Sequence, residues 1–345
     1  MVSILSVKTD EQFMRLALRE GRKGLGRTSP NPAVGAVIVS KNGKEILGRG
    51  WHHKAGDPHA EIEAIADAKA KFPRRSLAGT TIFVTLEPCS TPGKTGACTE
   101  AILEAKFGRV VIGTLDPNPA HAGAAVRMLA KDGIDVSVGV CETQCRELIR
   151  FFAKHITTGK PYVIAKSATT LDGRTTLTKA RGQWISGPES REDVQKLRAE
   201  CDAILVGGET ARADNPSLTL RGKHAVGREQ PYRFVLTAIK ELPTDLNLFT
   251  DEFADRTEVF HGNSLSRVLT TLGKRGITSV LLESGGRLFA HGIAKKLIDE
   301  VVIYQAPIIG GGGKRLMPVD GIIADLENVR VTRIGNDTKI RGTIR

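Results

Sequence analysis

Thr81-Ile82-Phe83-Val84-Thr85-Leu86-Glu87-Pro88-Cys89 is the stretch that decides how the first half of the chain folds. Its first six residues are apolar or β-branched, the pattern of a strand buried on both faces in an α/β layer. Pro88 ends the run and leaves Cys89 at the strand's edge. Upstream, Ala33–Val39 and Glu45–Gly50 flank the Lys41-Asn42-Gly43 turn and read as two more strands. Helices are expected at Asp10–Lys23, Ala60–Ala70, Thr99–Lys106 and Ala122–Lys131, with strands at Arg109–Thr114 and Ile134–Val140. Strands that alternate with helices imply a layered α/β domain over residues 1–150.

Residues 151–160 read as a linker, because Thr157-Thr158-Gly159-Lys160-Pro161 breaks the periodicity. The alternation then resumes over 161–345. Strands are expected at Tyr162–Ala168, Asp202–Gly207, Tyr232–Thr237, Ile277–Glu283 and Glu300–Ala306. Helices are expected at Pro188–Glu200, Ser264–Arg275 and Gly286–Leu297, and a closing hairpin at Val329–Ile334 and Lys339–Ile344. A length of 345 residues suits two such domains.

Composition narrows the partners. The net charge of +12 is spread without a basic run longer than two residues, and aromatics make up only 5%. That balance fits a phosphorylated metabolite at least as well as a nucleic-acid groove. The longest apolar runs reach about seven residues, far short of the roughly 20 that span a bilayer. Asp10, Glu11, Arg15 and Arg19 exclude a signal-peptide core from the first helix, so a cytoplasmic protein without membrane attachment is expected. The five cysteines are odd in number and sparse, which favours reduced thiols and metal ligation over a disulfide framework. Cys141, Cys145 and Cys201 read as structural thiols.

Three segments of the first half converge on one chemistry. Pro58-His59-Ala60-Glu61 opens a helix, Glu87-Pro88-Cys89 follows a strand, and Cys98 comes nine residues after Cys89. His59, Cys89 and Cys98 supply three ligands for zinc and leave a fourth position for water. Zinc brings the pKa of such a water towards roughly 7. Glu61 is spaced to take the water's proton and pass it to a leaving amine. His-x-Glu followed by Pro-Cys and a second Cys is the pattern of zinc deaminases. A structural zinc would need a fourth protein ligand; His52 and His53 stand near in sequence, but that reading leaves Glu61 without a role.

The Cys-x8-Cys spacing is longer than that of cytidine and tRNA-adenosine deaminases, and the half resembles the deaminase domain of the bifunctional riboflavin-biosynthesis deaminase/reductase family. The resemblance rests on Ser29-Pro30-Asn31-Pro32-Ala33-Val34-Gly35, on Gly50-Trp51-His52, on Gly56 through Glu61, on Val84 through Ser90 and on Asp116-Pro117-Asn118-Pro119. It implies a three-layer cytidine-deaminase-like domain that deaminates 2,5-diamino-6-(5-phosphoribosylamino)pyrimidin-4-one. It also implies that Asn31, His52 and Lys94 bind that substrate. The family usually carries a histidine pair or His-Tyr after the serine; here Thr91-Pro92 follows Ser90.

The second half has no G-x-G-x-x-G opening a βαβ unit, so no Rossmann dinucleotide site is legible. Glycines do cluster at strand ends, at Gly207-Gly208, Gly285-Gly286 and Gly310–Gly313, where they suit either phosphate approach or plain turns. Lys166 through Arg174, Gln183-Trp184-Ile185-Ser186, Leu197-Arg198-Ala199, Asp202 through Gly207, Thr210 through Pro216, Leu218 through Arg221 and Leu282 through Gly286 resemble the reductase domain of the same family. The resemblance implies a dihydrofolate-reductase-like fold and reduction of the ring-opened ribosyl C1' by NADPH. Ala168, Trp184, Thr210, Asp214, Ser284, Gly285 and Gly286 would then touch the cofactor. Arg198, Leu218, Arg221 and Glu283 would hold the substrate, with both arginines offering bidentate grips to its phosphate. Gly182 stands where the family usually has serine. A homo-oligomer is expected. The competing reading is a nucleic-acid deaminase with an accessory domain, against which stand the cysteine spacing, the few aromatics and the second half.

Overall fold

The computed structural model describes residues 9–91, 96–177, 184–239, 241–319 and 321–345, so Lys94, Arg181, Gly182 and Gln183 lie outside the described residues. The chain divides into two units, Met1–Thr158 and Gly159–Arg345.

In the first unit, strands β1 (Gly35–Val39), β2 (Ile46–Trp51), β3 (Thr81–Val84), β4 (Arg109–Ile112) and β5 (Asp135–Val138) form a sheet in the order β2-β1-β3-β4-β5. β1 runs antiparallel to β2 and β3, whereas β3, β4 and β5 are mutually parallel. Successive side chains of a strand point to opposite faces, and both faces here are apolar. Ala36, Ile38, Ile82, Val84, Val110 and Ile112 share a core with helices α2 (Ala60–Lys71), α3 (Cys98–Glu104) and α4 (Ala124–Lys131). Val37, Val39, Phe83 and Val111 meet helices α1 (Asp10–Arg22) and α5 (Glu142–Leu148) on the other side. The unit is therefore three layers, helix on sheet on helix.

One glycine sets how close α2 comes to the sheet. A Cβ on Gly50 would fall 2.2 Å from the Ala60 carbonyl oxygen and 2.3 Å from the Ala64 nitrogen. Only glycine lets the head of α2 lie against β2, and that head carries the His59–Glu61 segment.

Residues 151–160, expected as a linker, instead carry helix α6 (Arg150–Thr158). Phe151 is buried, and the segment groups with the first unit. The break comes at Gly159, where φ is 67°.

The second unit is built on eight strands. They are β6 (Tyr162–Thr169), β7 (Ala203–Gly207), β8 (Tyr232–Thr237), β9 (Thr257–His261), β10 (Ser279–Glu283), β11 (Glu300–Gln305), β12 (Leu326–Ile334) and β13 (Asp337–Ile344). Their order is β12-β13-β11-β6-β10-β7-β8-β9, parallel from β11 to β9 and antiparallel at the closing hairpin. Val163, Ala165, Leu205, Val280 and Leu282 pack on one face with α10 (Leu265–Lys274) and α11 (Gly286–Ala294). Their alternates Ile164, Ile204 and Leu281 are buried too, so both faces are covered. Helix α7 (Pro188–Glu200) precedes β7, helix α8 (Gly208–Asp214) follows it, and the single turn α9 (Asn247–Thr250) lies between β8 and β9. Edge strand β12 is exposed along most of its length, Val331 by 63%. Among the described residues no helix is long and apolar enough to cross a membrane.

Candidate active sites

The first site gathers at two helix starts. His59 is the residue immediately before α2, and Glu61 stands in that helix's first turn, 3% exposed. Cys98 opens α3, and its backbone N–H donates to the Cys89 sulfur at 3.2 Å. His59 Nδ1 lies 3.2 Å from Cys98 Sγ and 3.5 Å from Cys89 Sγ. A tetrahedral zinc with bonds of roughly 2.1 Å to nitrogen and 2.3 Å to sulfur would set those atoms about 3.6 Å apart. The donor set and its spacing therefore fit zinc. Among the described residues this is the one His, Cys, Asp or Glu cluster whose ligand atoms all fall within 4.8 Å of one another.

The titration directions agree with shared occupancy of one point. The Cys89 thiol is pulled down chiefly by the hydrogen bond from Cys98, and Cys98 is pushed up by the same bond. A dication in place of that shared proton leaves both as thiolates. Burial pushes the Glu61 carboxyl up to about 7, against the smaller pull of His59. A carboxyl in that range can both take and give a proton near neutrality.

Asn31 and His52 meet beside the cluster. His52 is 2% exposed, and its ring stands edge-on to His59 with centroids 5.2 Å apart. Its Nδ1 donates to the Pro58 carbonyl at 3.1 Å, which leaves Nε2 to accept from the Asn31 amide at 3.1 Å. Burial lowers the His52 pKa, which keeps this neutral form. Cys141, Cys145 and Cys201 form no disulfide, and Cys145 is packed in the core under α1.

In the second unit most of the expected residues collect at the carboxyl ends of β6, β10 and β7, the edge where open α/β sheets take ligands. Glu283 ends β10 and pairs in register with Lys166 of β6, with Ala168 two residues further along. Nε and Nη2 of Arg198 donate to the two Glu283 oxygens, the latter at 3.1 Å, and Nη1 donates to the Thr219 carbonyl at 3.2 Å. Lys166 Nζ lies 3.6 Å from the same carboxylate. Burial alone would raise the Glu283 pKa, but Arg198 and Lys166 outweigh it and hold the value at about 2.

This arrangement corrects one expectation. Arg198 does not offer its Nε–Nη2 fork to a phosphate, because an unpaired buried Glu283 would be far costlier than the pair. Lys166 is a member of the cluster that sequence reasoning quoted but gave no role. Burial lowers its pKa, and the charges of Glu283 and Asp214 act on it. Thr210 and Asp214 ride on α8, a helix the sequence did not suggest. Leu218 is buried with φ 51°, and the Arg221 N–H donates to the Gln195 side chain on α7, so residues 218–221 run beside Arg198. Trp184 is 63% exposed with the Arg191 guanidinium 5.0 Å from its ring, and the described contacts do not join it to the cluster.

The head of α11 fits a dinucleotide's phosphates. Ser284 is buried, and its hydroxyl has no hydrogen-bond partner among the described residues, a rare state for an interior polar atom. A Cβ on Gly285 would lie 3.1 Å from the Thr175 methyl, and Gly286 has φ 61°. Free N–H groups there favour an anion.

Known proteins share both halves. Residues 7–114 match the cytidine and deoxycytidylate deaminase zinc-binding region, and residues 161–340, more than half the chain, match the RibD C-terminal domain. The chain belongs to the RibD family. The riboflavin biosynthesis protein RibD of Synechocystis is 38% identical over 335 residues, covering 90% of this chain and 88% of its own length. The Acinetobacter baumannii RibD structure superposes with a TM-score of 0.86 at 33% identity, covering 97% of this chain and 99% of that one. A Thermotoga maritima structure described as a diaminohydroxyphosphoribosylaminopyrimidine deaminase/5-amino-6-(5-phosphoribosylamino)uracil reductase gives 0.85 at 32% identity, covering 97% and 99%. As a RibD family member the chain joins a zinc-dependent deaminase of cytidine-deaminase fold to an NADPH-dependent, dihydrofolate-reductase-like reductase of riboflavin biosynthesis.

Proposed function

We propose that the first unit hydrolyses the amino group of 2,5-diamino-6-(5-phosphoribosylamino)pyrimidin-4-one, and that the second reduces the ring-opened ribosyl chain of the product to ribityl. The observation that carries the reading is the His59–Cys89–Cys98 cluster with the buried Glu61 carboxyl beside it. Zinc, when bound, supplies the Lewis acidity that makes water a nucleophile near neutral pH. Glu61 takes the proton of that water and returns it to the departing amine, so water is consumed and ammonia released. The Asn31 amide nitrogen is occupied by His52, which leaves its Oδ1 to accept from an amino group of the pyrimidine. Lys94 adds a positive charge for the substrate or its phosphate.

In the second unit Ala168, Trp184, Thr210 and Asp214 line NADPH, and Ser284, Gly285 and Gly286 receive its phosphates. Arg198, Leu218, Arg221 and Glu283 orient the substrate, with Arg221 offered to its phosphate. NADPH, when bound, would supply a hydride; Lys166, a largely buried ammonium of lowered pKa beside Glu283, would supply the accompanying proton. The protein works in the cytoplasm on small molecules rather than nucleic acid, and as a homo-oligomer.

The test follows both products by mass after incubation with the diaminopyrimidine phosphate, with and without NADPH. The wild type should release ammonia without NADPH and form the ribityl product only with it. Glu61→Gln should lower deamination by roughly 10²–10⁴-fold while reduction of the deaminated intermediate continues. Turnover of the first step by the glutamine variant at the wild-type rate would refute the assignment.

A further inference from the structure

We infer that Glu87 is a positioning residue for deamination, holding the 116–123 loop against the Cys89 edge of the centre. This rests on the deaminase reading above. Glu87 is 5% exposed, and among the described residues its carboxylate has no cation within ion-pairing range. Instead it accepts three backbone N–H groups. One oxygen takes Asp116 at 3.1 Å and Gly123 at 2.9 Å; the other takes Ala125 at 3.0 Å. The chain leaves the sheet after β4, with the Glu87 N–H donating to the Thr114 carbonyl at 2.9 Å. It returns at the head of α4, where Ala125 carries one of the N–H groups a helix start leaves unpaired. One side chain thus ties both ends of the 116–123 excursion, and its negative charge suits the α4 start.

What the excursion carries gives the tie its meaning. Asp116 Oδ1 accepts from the Asn118 N–H at 2.8 Å, so the loop closes on its own side chains. The Asp116 carboxyl is raised chiefly by burial, and the charges of His121, Glu87 and Cys89 also act on it. The loop's stem at Thr114 is thus bonded to the Glu87 backbone and its two ends to the Glu87 carboxylate, and Glu87 is two residues from the ligand Cys89. Fixing the loop governs how firmly the pyrimidine is held more than how fast it is attacked, because Glu61 sits on α2, outside the tie.

Glu87→Gln tests this. A glutamine has one accepting oxygen, and its amide nitrogen meets an N–H donor whichever way it turns. We expect the deaminase KM for the diaminopyrimidine phosphate to rise roughly tenfold or more, with kcat changed much less. Zinc content measured per chain should stay at the wild-type level, and reduction of the deaminated intermediate, on the separate unit, should be unaltered. Should Glu87→Gln fail to fold, Gly123→Ala loosens the same anchor from the loop side, since alanine is strained at φ 74° and its Cβ would lie 3.0 Å from Arg127. It should raise KM in the same direction. A fall in kcat at constant KM, or loss of zinc, would overturn the inference. A wild type that cannot deaminate would sink the deaminase reading; a wild type that does, beside variants of unchanged KM, would sink only this one.

Discussion

At the scale of single residues, the second unit's buried charge cluster centres on Glu283. Its carboxylate is shared by Arg198 and Lys166, and its pKa of about 2 lies below the roughly 4.3 of a free glutamate. The unfolded chain therefore binds the proton first. The pair's contribution is complete above pH ~4.3 and is lost as pH falls from there through about 2. Glu283→Gln should cost roughly 3–5 kcal/mol at pH 7, because two buried cations lose their partner. Urea unfolding at several pH values checks both points: the gap between wild type and variant should narrow only below pH ~4.3. A gap that is constant down to pH 3 would contradict the pairing. His59, Cys89 and Cys98 were legible from their types and order along the chain, and the fold gathers their ligand atoms with the Glu61 carboxyl beside them. Glu87 and Lys166 were not, since a buried carboxylate or ammonium in a strand-end motif shows its partners only after folding.

At the scale of elements, α7 is strapped at three points. Asp337 accepts from the Gly187 N–H at 2.8 Å and the Ser190 hydroxyl at 2.6 Å, at the head of the helix. Asp193 in the middle takes the Tyr304 hydroxyl at 2.8 Å and Lys339 at 2.6 Å. Arg198 near the end holds Glu283. Asp337→Ala should remove roughly 1–3 kcal/mol from the second unit, by leaving Ser190 and the helix start without an acceptor. Trp184, close to that start, gives the fluorescence readout of the shifted denaturation midpoint; an unchanged midpoint would count against the strap. Elements with a full apolar face, such as β3, α10 and β10, were readable in advance. α8 and β9 were not: α8 begins on glycine and buries only Gly208 and Ala211, and β9 is an edge strand that buries only Phe260. α6 was hidden by its threonines and the glycine behind them.

At the scale of the whole molecule, two cores on one chain predict two separable responses. A chelator strong enough to strip zinc should abolish deamination and lower the melting temperature of the unit spanning Met1–Thr158, while leaving the second unit's transition and NADPH oxidation in place. Calorimetry with both assays run in parallel reads this, and a joint shift of both transitions would argue against independent cores. The alternation of strands and helices made the two-domain plan visible beforehand. What the second domain binds was not visible from periodicity, because its clustered glycines sit at strand ends without a fingerprint of their own.

The Cys89 and Cys98 sulfurs, gathered within 4.8 Å by the folded backbone, are also poised to join one another. Freshly made chains that meet an oxidant before their metal would close into a cystine and lock the first activity off, while the second persists. Aerobic ageing of the stripped protein should therefore be reversible by dithiol followed by zinc, and by zinc alone only while both thiols still titrate.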